Sequence, residues 1–166
     1  MQNRQESEPK GEQGMPTAYE IQKERIRALE TKAEQLLASC RTAALTSVSP
    51  EGFPRTCVMG IAKSEGFRDL YFITSRRSGA NGKAAHFEQN PKASVCFFRG
   101  SNSVTLVGTV SFVADRTEQE RVWSEEHRAF FKRGLDDPKF RLLHFHASEA
   151  TFWIEGHFRT CRYKDK

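Results

Sequence analysis

The chain has 166 residues, a length that suits one domain with a sizeable core. Hydrophobic residues make up 37% of it, charged residues 28%, and thirteen phenylalanines supply large apolar groups, which excludes a wholly disordered chain. The net charge of +5 permits anionic ligands. No run of basic residues marks a nucleic-acid arm, and no stretch reaches the ~20 apolar residues of a membrane span, so neither partner is expected.

In chain order, residues 1–16 are polar and expected to be a disordered tail without the apolar segment of a signal peptide. Residues 17–39 read as a helix. Thr17 and Glu20 form a capping box, and Ile21, Ala28, Leu29, Leu36 and Leu37 recur at helical spacing. Two strand-like runs follow around the turn signal "SPEGFP". "DLYFIT" (69–74) is a third strand, and "KAAHFEQ" a short helix stopped by Asn90-Pro91. "ASVCFFR" (93–99) is a fourth strand. "SVTLVGTVSFVA" (103–114) is a fifth, with Gly108 at a bulge or bend. Residues 115–134 read as a helix with Thr117 and Glu120 as a capping box and Gly134 at its stop. "DDPKFRLLHF" is a turn followed by a short helix or an extended segment, and "ATFWIEG" (150–156) is a sixth strand. Hairpin-like spacing points to an antiparallel barrel with appended helices, one domain over residues 17–166.

The stretch "TSRRSGANGK" (74–83) concentrates the chemistry. Gly79 and Gly82 let the main chain turn closely, and Ser75, Ser78 and Asn81 can donate hydrogen bonds. Arg76, Arg77 and Lys83 can each neutralise a phosphoryl oxygen where the loop enters a helix. By composition the stretch reads as a solvated loop or a phosphate cradle, and it does not match the Walker pattern. His144 and His146 alternate in "HFH" and would share a strand face. No carboxylate or third ligand lies at a metal-like spacing, so no metal site is expected. Cys57 reads as a packing residue or a reactive thiol. Cys40, Cys57, Cys96 and Cys161 are too far apart in sequence for a zinc knuckle or a CxxC pair. The expectation is a cytoplasmic protein with reduced thiols.

The order "RTAALTSVSPEGFPRTCVMG", "LYFITSRRSGANGKAAHFEQNPKASVCFF", "VTLVGTV", "RVWSEEHRAFFKRGLDDPKF", "ATFW" resembles the pyridoxamine 5′-phosphate oxidase-like FMN-binding split-barrel family, in its general stress protein branch. The resemblance implies a six-stranded Greek-key split barrel, mainly β with appended helices. It also implies a homodimer with FMN at the subunit interface. Carried over by position, Thr74 and Ser75 line the ribityl–phosphate path. Lys83 matches the phosphate lysine, and Asn81 stands where a serine is usual. The main chain of Val58, Met59 and Gly60 passes beside the isoalloxazine ring, and Ser103 belongs to the part reaching over from the other subunit. Cys57 stands where the family carries a basic residue. Arg55 lies two residues earlier on the same strand face, and the loop before Lys83 is about three residues longer.

No Ser/His/Asp arrangement or catalytic carboxylate pair is visible, so in a redox enzyme the flavin would carry the chemistry. The resemblance implies a flavin-dependent oxidoreductase acting on a small substrate. The alternative is a non-catalytic flavin-binding stress or sensor protein, or a split barrel that binds haem or a deazaflavin. The C-terminal "RTCRYKDK" lacks the Arg-x-His that contacts the pyridoxal substrate in true pyridoxamine-phosphate oxidases.

Overall fold

The computed structural model describes residues 15–76 and 82–164. Helix α1 (Ala18–Ala38) starts as the sequence dictates. The Thr17 side chain accepts from the Glu20 amide, and the Glu20 carboxylate accepts from the Thr17 amide at 2.7 Å. Strands β1 (Thr42–Val48) and β2 (Pro54–Gly60) form a hairpin. Its turn is closed by Ser49 and Phe53 and needs Gly52 at φ 84°. The three-residue strand β3 (Lys63–Glu65) pairs with β4 (Asp69–Ser75). Helix α2 (Lys83–Gln89) leads into β5 (Lys92–Arg99) and β6 (Asn102–Val113). Helix α3 (Arg116–Val122) precedes 3-10 turns at Glu125–Ala129 and Gly134–Asp136. Strands β7 (Phe140–Ile154) and β8 (His157–Arg162) complete the fold.

The strands form one antiparallel sheet in the order β2-β1-β5-β6-β7-β4-β3, with β8 added to β7. Strand β7 joins the two halves. Its first part lies between β6 and β4, its last part between β6 and β8. The predicted bulge is present, because the β6–β7 register shifts between Val107 and Gly108. A first core lies inside the curled sheet around Leu45, Phe72, Phe97, Leu143, Phe145 and Phe152, closed by Ala33 and Leu37 of α1. A second, smaller core of Tyr71, Val122, Phe131, Phe140 and Leu142 lies where α3 and the 3-10 segment cover the other face of β4 and β7. Among the described residues, no helix is long and apolar enough to cross a membrane.

Three expectations change. Among the described residues the sheet has eight strands rather than six, because β3 and β8 are short or polar and the last predicted strand is only the end of β7. Of the two readings left open for "DDPKFRLLHF", the extended one holds, a turn and the start of that strand. The helix predicted over 115–134 breaks at Trp123, whose backbone is extended. Its N-cap is Asp115, accepting from the Glu118 amide at 2.9 Å, in place of the Thr117–Glu120 box.

Candidate functional site

A groove of about 990 Å³ opens where the end of β2, the end of β4 and the first 3-10 turn meet. Gly60, Ile61 and Ala62 form one wall, Ile73, Thr74 and Ser75 a second, and Glu126, His127, Phe130 and Phe131 a third. The first wall is pinned by main-chain bonds, Ile61 N–H to Arg41 O at 3.0 Å and Ala62 N–H to Tyr71 O at 2.9 Å. Beyond Gly60 the space is open, with no atom within 4 Å of where a Cβ would stand. A planar ring could therefore approach that main chain directly. Phe130 is 81% exposed in the single chain although it lines the groove. His127 Nδ1 accepts from the Ser124 amide at 3.1 Å, which leaves the proton of the neutral ring on Nε2. Sequence reasoning had treated this segment as helix and missed both Glu126 and His127.

A second group of expected residues gathers at the start of α2. The Lys83 ammonium donates to Cys57 Sγ, placing a cation beside the position where a basic residue was missing. In the β1–β2 register, Arg55 faces Ser47 and Cys57 faces Leu45, so Arg55 and Cys57 share the inward face of this edge strand. Both are exposed. Val58 points to the opposite face and is 71% exposed, whereas Met59 packs against the first core. Beneath Arg55, Ser47 and His86 are buried and bonded, Oγ to Nδ1, at 2.8 Å. This pair, invisible in the sequence, ties α2 to β1. His86 Nε2 is also buried and has no hydrogen-bond partner among the described residues.

Gly60, Thr74 and Ser75 thus share one groove, and Arg55, Cys57 and Lys83 one cluster. Arg76 follows directly on β4, its amide bonded to Lys139 O at 2.9 Å. Arg77 and Asn81 lie outside the described residues. Ser103 sits elsewhere, on the outward sheet face between Phe98 and Trp153.

A third cluster was only half visible in the sequence. Asp69 Oδ1 accepts from His146 Nδ1 at 2.6 Å and from His144 Nε2 at 2.9 Å. Burial acts to raise the Asp69 carboxyl, but hydrogen bonds from His146 and His144 and their charge outweigh it and hold the group below its usual range. Asp69 is the carboxylate the spacing did not reveal.

The lining of the groove suits a flavin nucleotide: open main chain at Gly60 for a ring, the hydroxyl residues Thr74 and Ser75, and the cation Arg41. The sequence profile of the family described as "Pyridoxamine 5′-phosphate oxidase like" matches residues 29–162. The chain belongs to this family. Its members commonly bind flavin. Among solved structures, this family member is similar to a Clostridium acetobutylicum protein related to general stress protein 26. The TM-score is 0.72 and the identity 20%, over 81% of this chain and 94% of that one. General stress protein 26 of Bacillus anthracis gives 0.66 and 21%, over 84% of this chain and 99% of that one. A haem-binding protein of Mycobacterium smegmatis gives 0.66 and 17%, over 81% of this chain and 57% of that one. These likenesses show the split-barrel fold. A comparison with curated protein sequences returns no match.

Proposed function

We propose that this protein binds FMN as a homodimer and works as a flavin-dependent oxidoreductase on a small substrate. The observation that carries the reading is the groove in which the open main chain at Gly60 shares a lining with Thr74 and Ser75 of β4. In this reading the Gly60–Ala62 main chain flanks the ring, and Thr74 and Ser75 bond the ribityl side. Lys83 holds the phosphate, helped by Arg55, Arg76 and Arg77, with Asn81 as a further donor. Bound there, the flavin supplies hydride and electron transfer. Phe130 and His127 form the outer wall, where they exclude water and offer one N–H donor.

The outward sheet face supports the second copy. Val58, Ala44, Cys96, Thr105, Thr151 and Thr160 form one uncharged row in register across six strands. Beside it Phe98, Trp153 and Phe158 are exposed. Such a surface is what a dimer of this size would cover, and Ser103 lies within it. Four free cysteines suit a reducing, cytoplasmic setting.

The test is titration of FMN and riboflavin into wild type and Lys83→Ala, read by flavin fluorescence. FMN affinity should fall at least about tenfold, about 1.4 kcal/mol, with riboflavin unchanged. Equal losses for both ligands would place the phosphate elsewhere. A haem reading is favoured by one observation, the likeness to the M. smegmatis protein. A Soret band rather than flavin bands in reconstituted protein would select it. Once FMN is bound, consumption of a reduced nicotinamide separates an enzyme from a carrier.

A further inference from the structure

We propose that Asp69, His144 and His146 form a binding site for a divalent transition metal of the zinc class, separate from the groove. Their ligand atoms all lie within 4.8 Å of one another. A tetrahedral ion holds its N and O donors about 2.0–2.2 Å away, which sets them a little over 3 Å apart. The existing spacings of 2.6 and 2.9 Å to Asp69 Oδ1 need only a small expansion to admit an ion.

The scaffold is what such a site requires. His144 and His146 alternate on β7, and Asp69 is the register partner of His146 on β4, so all three project from paired strands onto one face. His144 is stacked on Tyr71 at 4.7 Å and 18°, and the Tyr71 hydroxyl accepts from Arg121 at 3.1 Å, so the ring has a fixed plane. The side chains are 27%, 36% and 27% exposed for His144, His146 and Asp69, enough for an ion to enter and keep a water as fourth ligand. Two imidazoles and one carboxylate suit zinc, nickel or copper and disfavour magnesium and calcium, which take oxygen ligands.

The site lies apart from the groove. Along β4, Tyr71 separates Asp69 from Ile73, the first groove residue on the same face, roughly 13 Å of strand. An ion here would clamp β4 to β7 rather than meet a bound flavin.

Among the described residues, one neighbour competes. A terminal nitrogen of Arg68 lies 3.2 Å from His146 Nε2 and 2.8 Å from Ala147 O. In the metal-free protein His146 Nδ1–H donates to Asp69, so Nε2 accepts from Arg68. Metal at Nδ1 shifts that proton to Nε2, and His144 likewise carries its proton on Nδ1. The Arg68–His146 bond is then lost. Arg68 therefore weakens the site and sets its affinity.

The experiment is calorimetric titration of zinc chloride into chelator-treated full-length protein. The reference is His144→Ala/His146→Ala, which keeps all four cysteines. Wild type should bind one ion with Kd below about 10 μM. Asp69→Asn should lose at least tenfold and no longer gain melting temperature from zinc. Arg68→Met should bind more tightly than wild type. Equal uptake by wild type and the double variant would overturn the proposal. So would thiolate charge-transfer absorption in the cobalt(II) form, since that would put the ion on cysteine.

Discussion

At Gly108 a side chain is missing for want of space. A Cβ there would stand 1.9 Å from His146 O and 2.9 Å from Ala147 Cα, both main-chain atoms that cannot rotate away. Gly108→Ala should therefore cost at least about 2 kcal/mol by forcing the β6–β7 bulge apart. Urea denaturation measures it, and an unchanged midpoint would mean that the two strands are not in this register. The bulge was legible because one glycine interrupts a run rich in valine and threonine. The partners of His144 and His146 were not. Asp69 is far away in sequence, and only the β4–β7 register brings it opposite His146. Lys83 and Cys57, or Ser47 and His86, are likewise united by strand and helix packing that no local spacing records.

Among the elements, α1 and the end of β8 are fastened by Tyr163. Its hydroxyl donates to Glu30 Oε1 at 2.9 Å, and the Arg68 guanidinium lies over its ring at 4.4 Å. Burial, then the hydrogen bond and charge of Glu30, push the phenol well above its usual range. The folded protein keeps this proton where the unfolded chain loses it. The stability it contributes is thus complete below about pH 10 and is lost as pH rises beyond that. Tyr163→Phe should cost about 1 kcal/mol at neutral pH and flatten the fall in stability above pH 10. Melting temperatures from pH 7 to about 11 test it, and parallel curves would refute the assignment. Elements with one buried face, such as β1 and β5, were read correctly because their alternation is clean. Strand β7 was not. Leu142 and Leu143 are both buried, one in each core, so the period of two is broken where the strand is covered on both sides. The helix expected over 115–134 had enough apolar residues, but past the extended Trp123 the chain leaves the helix, and Phe130 and Phe131 line the groove.

For the molecule as a whole, the proposed dimer rests on the outward face. Phe98 is 64% exposed in the single chain and lies beside the uncharged row. Phe98→Glu should convert a dimer to a folded monomer in sedimentation, with an unchanged far-UV spectrum, because it would bury an unpaired charge between copies. A wild-type monomer, or a variant that still dimerises, would remove this face from consideration. The sheet order also governs how the chain comes together. Until Phe140–Ile154 is available, β3 and β4 have only each other, and a lone hairpin is marginal in water. Strands β1, β2, β5 and β6 can meanwhile pair, as two hairpins joined through β1 and β5. During synthesis, at about 5–20 residues per second, the wall carrying Thr74 and Ser75 would wait several seconds for its partner strand. The late arrival of β7 makes the nascent chain most open to mispairing while β4 is already outside the ribosome with one of its edges unpaired.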